Sequence, residues 1–207
     1  MNKATLRERI RDLLNRTDLS DSVANHFIDQ AMQRIQRALR TPMNEKLGTL
    51  IIEQEYPEFG LPVDFLELIS LTYFNAEGEV AAVLERLPTT RLEDKKRQQD
   101  VTGVPLFFAR KHLDILLYPI PSSGSLEVYY YSEFPEIDEV NPEHVLTKVA
   151  PDLVIYGALS FAADYFVDDR GPLFEQRYQT ALAEIQEQSD AQQLSGGIQT
   201  VQPAYEF

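Results

Sequence analysis

Pro151-Asp152-Leu153-Val154-Ile155-Tyr156-Gly157-Ala158-Leu159-Ser160-Phe161-Ala162-Ala163-Asp164 carries no charge between its two inner-flanking aspartates. Pro151 sits at a favoured first-turn position for a helix. Wound as a helix, Leu153, Val154, Ile155, Tyr156, Leu159 and Phe161 go all round the cylinder, and a helix apolar on every side must be covered on every side. Gly157, Ala158, Ala162 and Ala163 let neighbours approach closely. Either this is the central helix of a bundle, or a second subunit covers its far face. Downstream, Asp168-Asp169-Arg170-Gly171-Pro172 breaks the helix. A last helix follows, with Phe174, Tyr178, Ala181, Leu182 and Ile185 on one face, before the chain turns Gln-rich and loosens at Ser195-Gly196-Gly197. Just upstream, Val145 to Val149 makes about one helical turn after Pro142.

The partners for that helix stand at the other end of the chain. Leu6, Ile10, Leu13 and Leu14 repeat at helical spacing, with Thr5 and Glu8 placed as a capping box. After a turn over Asn15 to Ser20, a longer helix puts Val23, Phe27, Ile28, Ala31, Ile35 and Leu39 on one face, and Pro42 ends it. Arg34, Arg37 and Arg40 step along beside that stripe toward the helix C-terminus, where positive charge is favoured.

Between these ends the period changes. Thr49 to Glu53, Leu66 to Tyr73, Val80 to Leu84, Phe107 to Arg110, Leu113 to Tyr118 and Leu126 to Ser132 are short, β-branched or aromatic runs separated by turn residues. Lys111-His112 reads as a tight hairpin, Pro119 to Gly124 as a longer turn, and Leu92 to Gln98 as a polar helix opened by Thr90. The expected fold class is α+β: residues 1–42 and 142–194 form a helical bundle, 43–141 an inserted small β-sandwich or barrel, and 195–207 an extended C-terminal tail.

A chain of 207 residues buries enough surface, roughly 70%, to need no staples, in keeping with its lack of cysteine. Charged residues stand where the apolar core of a secretory signal would lie, and the longest charge-free run is half a membrane span, so a soluble, intracellular protein is expected. The net charge of −14 argues against general nucleic-acid binding. It is unevenly spread: residues 1–40 hold eight Lys/Arg against five Asp/Glu, and residues 112–207 three against sixteen. Such asymmetry can align subunits, or simply solvate a face.

Candidate chemistry fails on inspection. His26, His112 and His144 have no partner at metal-ligand spacing, and the pairs Asp168/Asp169 and Asp138/Glu139 are what an acidic chain places in turns. Phosphate-binding, dinucleotide, calcium-loop and nucleophile-elbow motifs do not occur. No catalytic, cofactor or metal residue is assigned. Tyr129-Tyr130-Tyr131 would put Tyr129 and Tyr131 on one strand face and Tyr130 on the other, suited to a core or an interface. Ile198, Val201, Pro203, Tyr205 and Phe207 are apolar anchors in an otherwise polar tail.

Four pieces in order resemble the head-to-tail adaptor proteins of tailed bacteriophages. They are Leu6 to Arg16 with Phe27 to Ala31, Arg34-Ile35 and Leu39-Arg40; then Leu61 to Ile69; Gly103-Val104-Pro105; and Ala150 to Leu159. The resemblance, to connector or head-completion adaptors like tail tubular protein A, implies a non-enzymatic subunit without a cofactor. It implies a dodecameric ring of this chain between portal protein and tail nozzle, extending the channel through which double-stranded DNA passes. On that reading the interface candidates are Arg34, Arg37, Arg40, Tyr156, Leu159, Ile198, Val201, Tyr205 and Phe207, and the place of action is the virion neck. An acidic lumen would repel phosphates and keep DNA from sticking. Two other classes are weighed beside it: a generic interaction module binding a partner through the β-rich insertion, and a hydrolase using paired carboxylates.

Overall fold

Asn2, not Thr5, starts the first helix: its side-chain oxygen accepts the Thr5 backbone N–H at 2.9 Å, so the expected capping box gives way to an Asn cap three residues earlier. The computed structural model describes residues 1–52 and 58–194. Over these the chain runs α1 (Lys3–Leu14), α2 (Asp21–Ala38), a 3-10 turn (Pro42–Asn44), β1 (Glu45–Ile51), β2 (Glu58–Gly60), β3 (Phe65–Phe74), β4 (Val80–Val83) and β5 (Glu85–Arg86). It continues with α3 (Thr89–Gln98), β6 (Phe107–Lys111), β7 (Asp114–Tyr118), β8 (Ser125–Ser132), α4 (Val145–Val149), α5 (Pro151–Phe166) and α6 (Gly171–Leu194). The fold is α+β, with helices at both ends and a β insertion between them. The extended tail expected over 195–207, and the end of the first expected strand at Glu53, lie outside the described residues.

Two units result: Met1–Met43 with the chain from Phe134 onward, and Asn44–Glu133. In the helical unit α5 is the central helix. Leu153, Val154, Gly157, Ala158, Leu159, Ala162 and Ala163 are buried by the chain's own helices, chiefly α2 and α6. Gly157 is where they come closest: a Cβ there would stand 3.1 Å from Ala31 and 3.2 Å from the Tyr178 ring. Leu6, Ile10, Phe27, Ile28, Ile35 and Phe174 complete the core, close to the stripes read from the sequence. Residues 134–141, expected in the insertion, pack with the helices instead; Phe134 and Ile137 join this core and Arg7 pairs with Glu139 at 2.7 Å. They lack helical or strand periodicity, so nothing in the sequence pattern marked them as part of the helical unit.

The insertion is a sandwich of two four-stranded sheets, ordered β1-β8-β3-β4 and β2-β7-β6-β5. All strand pairs are antiparallel except β5 with β6. Alternation decides the faces. Leu126, Val128 and Tyr130 of β8 and Leu71 and Tyr73 of β3 meet Phe108, Ile115 and Leu117 of the second sheet. The opposite faces of β6 and β7 offer Ala109 and Leu116 to Leu92 of α3. The tight hairpin turns at His112-Leu113, one residue later than read, with His112 at φ 60°. Strands β2 and β5 escaped the sequence reading because three and two residues are too few to show alternation. Gly124 enters β8 at φ 103°, where a Cβ would lie 2.3 Å from the Phe74 carbonyl oxygen, so only glycine fits that turn.

Candidate assembly surfaces

The three arginines of α2 part company. Arg34 clamps α2 to α6: its guanidinium donates two hydrogen bonds to Glu175, at 2.8 and 2.5 Å, and lies 4.2 Å from the Tyr178 ring centre. Glu175 also accepts from Ser160 and Gln179, and the Arg34 bond, ahead of these, holds its carboxyl down at about 2. Arg40 lies just beyond the C-terminal end of α2, donating to the Gln36 and Leu39 carbonyls at 2.9 Å, while its backbone pairs with the Gln186 amide. Arg37 is exposed. Arg34 and Arg40 are therefore engaged within the subunit, leaving Arg37 as the surface member.

On α5, Leu159 has no exposed surface and is covered by its own bundle, so no second copy is needed to bury it. This corrects its place among contact residues: it is core. Tyr156 is half-buried and accepts a hydrogen bond from Arg177 at 3.0 Å. Ile198, Val201, Tyr205 and Phe207 lie outside the described residues.

The sheet β1-β8-β3-β4 carries a surface that the sequence reading did not single out. Its inner face fills the sandwich; its outer face follows the pairs Leu47–Tyr129, Ile51–Ser125, Phe74–Val80 and Thr72–Val83. Leu47 and Ile51 on edge strand β1 and Val80 and Val83 on edge strand β4 are 66, 75, 62 and 70% exposed, and between the two pairs the face carries Tyr129 and Phe74 together with Ser70, Thr72, Ser125 and Glu127. The tyrosines divide as the alternation requires. Tyr129 donates to Glu45, and that bond pushes its hydroxyl up to about 12. Tyr130, on the inner face, donates to Asp64 at 2.9 Å, and Asp64 in turn accepts from Lys46 at 2.6 Å. Burial first, then Asp64, raises Tyr130 to about 12, so both hydroxyls stay protonated donors. The signal for this face was Leu47-Gly48-Thr49-Leu50-Ile51, legible only once the strand is started at Glu45 instead of Thr49.

A second surface is electrostatic. Residues 86–112 hold seven of the nineteen Lys/Arg, namely Arg86, Arg91, Lys95, Lys96, Arg97, Arg110 and Lys111. They fall on β5, α3 and the β6 hairpin, and all are exposed except half-buried Lys96. Among the histidines, His144 is buried with its Nε2 2.8 Å from the Pro135 carbonyl, and burial lowers its pKa. Among the described residues no group of three His, Cys, Asp or Glu comes together to hold a metal, and no helix is long and apolar enough to cross a membrane.

Exposed faces on a helix–sandwich–helix subunit are what a structural connector offers for contact. The chain belongs to the SU10 adaptor protein family, which it matches over residues 1–201. The match covers both units, bearing out the resemblance drawn from the four sequence pieces; the family is structural, not catalytic, and its place is the virion. No curated protein matches the chain.

Proposed function

We propose that this chain assembles as a ring between the portal protein and the tail nozzle and extends the DNA channel. The observation that carries the proposal is the outer face of the β1-β8-β3-β4 sheet, where four exposed branched side chains stand on the two edge strands of an antiparallel sheet. A subunit whose cores are otherwise closed has no internal use for such a face. Many copies joined in a ring make modest contacts collectively strong. The net charge of −14 suits a channel wall that DNA must pass without adhering. The tail anchors Ile198, Val201, Tyr205 and Phe207 are assigned to docking on the portal or on a neighbouring subunit, and Arg37 and Tyr156 remain contact candidates on the helical unit.

The test is the mass of the purified chain by light scattering with negative-stain imaging, alone and mixed with its portal. Rings in either condition support the proposal. A monomer in both, with no portal binding, overturns it in favour of an interaction module that works through its β insertion.

A further inference from the structure

Identical copies that each carry −14 repel one another unless their contacts set positive surface against negative. Most of the N-terminal basic residues are already engaged, Arg9 and Arg37 being the exposed exceptions. Lys3, Arg7, Arg11, Arg16 and Arg34 are paired with Asp29, Glu139, Asp21, Asp18 and Glu175 inside their own unit. Residues 86–112 differ. They hold seven Lys/Arg against three Asp/Glu, a local +4 that leaves −18 on the rest of the chain. Only Arg97 and Lys111 of the seven lie within ion-pair distance of a carboxylate among the described residues, at 3.9 Å from Asp94 and 3.6 Å from Glu93. Of the four on α3, Arg91, Lys95 and Arg97 are exposed, Lys95 lying 5.1 Å from the Phe107 ring centre, because Leu92 alone among its buried residues anchors the helix to the sheet.

We propose that the outer face of α3, with Arg86 beside it, docks on the acidic surface of a second copy's helical unit. This deepens the ring reading and rests on it. Residues 134–194 supply the complementary charge, with exposed Asp164, Asp169, Glu184 and Asp190. Two different faces thus meet, which is the head-to-tail contact a closed ring requires. A DNA backbone is the weaker occupant, since the −18 around the patch repels phosphates while a second copy is drawn in by that same charge.

The test uses the full chain, half of it 15N-labelled, treated with a carbodiimide that joins touching lysines and carboxylates. Cross-links of mixed isotope from Lys95 or Lys96 to carboxylates of residues 134–194 are expected. Raising salt from roughly 0.1 to 1 M, which shortens the screening length from about 10 to 3 Å, should cut their yield about fivefold. R86E/R91E keeps both reporter lysines and should lose the mixed cross-links while melting like wild type. Rings that form without these cross-links, or that R86E/R91E leaves unchanged, overturn the inference and spare the ring. A monomeric mass with the salt-sensitive cross-links defeats the ring reading and keeps the contact. Retention of a random-sequence duplex that R86E/R91E abolishes, without mixed cross-links, gives the patch to DNA and overturns the inference.

Discussion

Val167 closes α5 at φ 54°, in the left-handed region, with its side chain 88% exposed. A β-branched residue there costs about 1–2 kcal/mol against glycine, and no packing offsets it. Val167→Gly is therefore expected to stabilise the subunit by about 1 kcal/mol in chemical denaturation; a loss of stability would show that the exposed valine is held by contacts within the subunit. The clamp at Glu175 makes a pH prediction. Its folded pKa of about 2 lies below the ordinary carboxylate value, so its contribution is complete above the unfolded pKa and disappears as pH falls toward 2. Glu175→Gln should cost about 1 kcal/mol at pH 7, solvent screening of a carboxylate 37% exposed keeping the effect small. The gap to wild type should narrow below about pH 5 and close near pH 2. A gap that does not vary with pH would mean that the Arg34 bond does not set the effect.

Elements behave according to which faces they bury. In α5 the charge-free run means that any polar residue on the inward side meets α2 or α6. Leu159→Asp should cost several kcal/mol, because a carboxylate with no partner replaces a fully buried side chain, and the expected result is loss of the cooperative melt. A folded, wild-type-melting variant would displace α5 from the centre of the bundle. The sheet face answers in the opposite way. Leu47→Lys with Ile51→Lys changes residues already exposed, so stability should stay within about 0.5 kcal/mol while ring formation weakens. Undiminished rings would exclude this face from the contact. The helical elements were legible in the sequence to within a few residues, since stripes such as Phe27, Ile28, Ala31 and Ile35 repeat many times over. Short strands β2 and β5 were not, because so few residues carry no period.

Across the whole molecule, the two units fold on separate cores. Deleting residues 198–207 should leave the melting temperature unchanged and reduce assembly with the portal, measured by light scattering; equal assembly would free Ile198, Val201, Tyr205 and Phe207 of the role proposed for them. Readable from the sequence were the order of helices, strands and helices, the all-round apolar run within residues 151–164, and the family. Each of these rests on composition and period along a continuous stretch, where neighbours in sequence carry the signal. Tertiary structure alone decided that Arg34 and Arg40 are engaged within the subunit while Arg37 stays exposed, that residues 134–141 join the helices, and that Leu47, Ile51, Val80 and Val83 share one open face. Those outcomes depend on partners far apart in the chain, such as Glu175 for Arg34 and Ser125 for Ile51, and on strand register, in which a shift of one residue exchanges the buried and exposed sides.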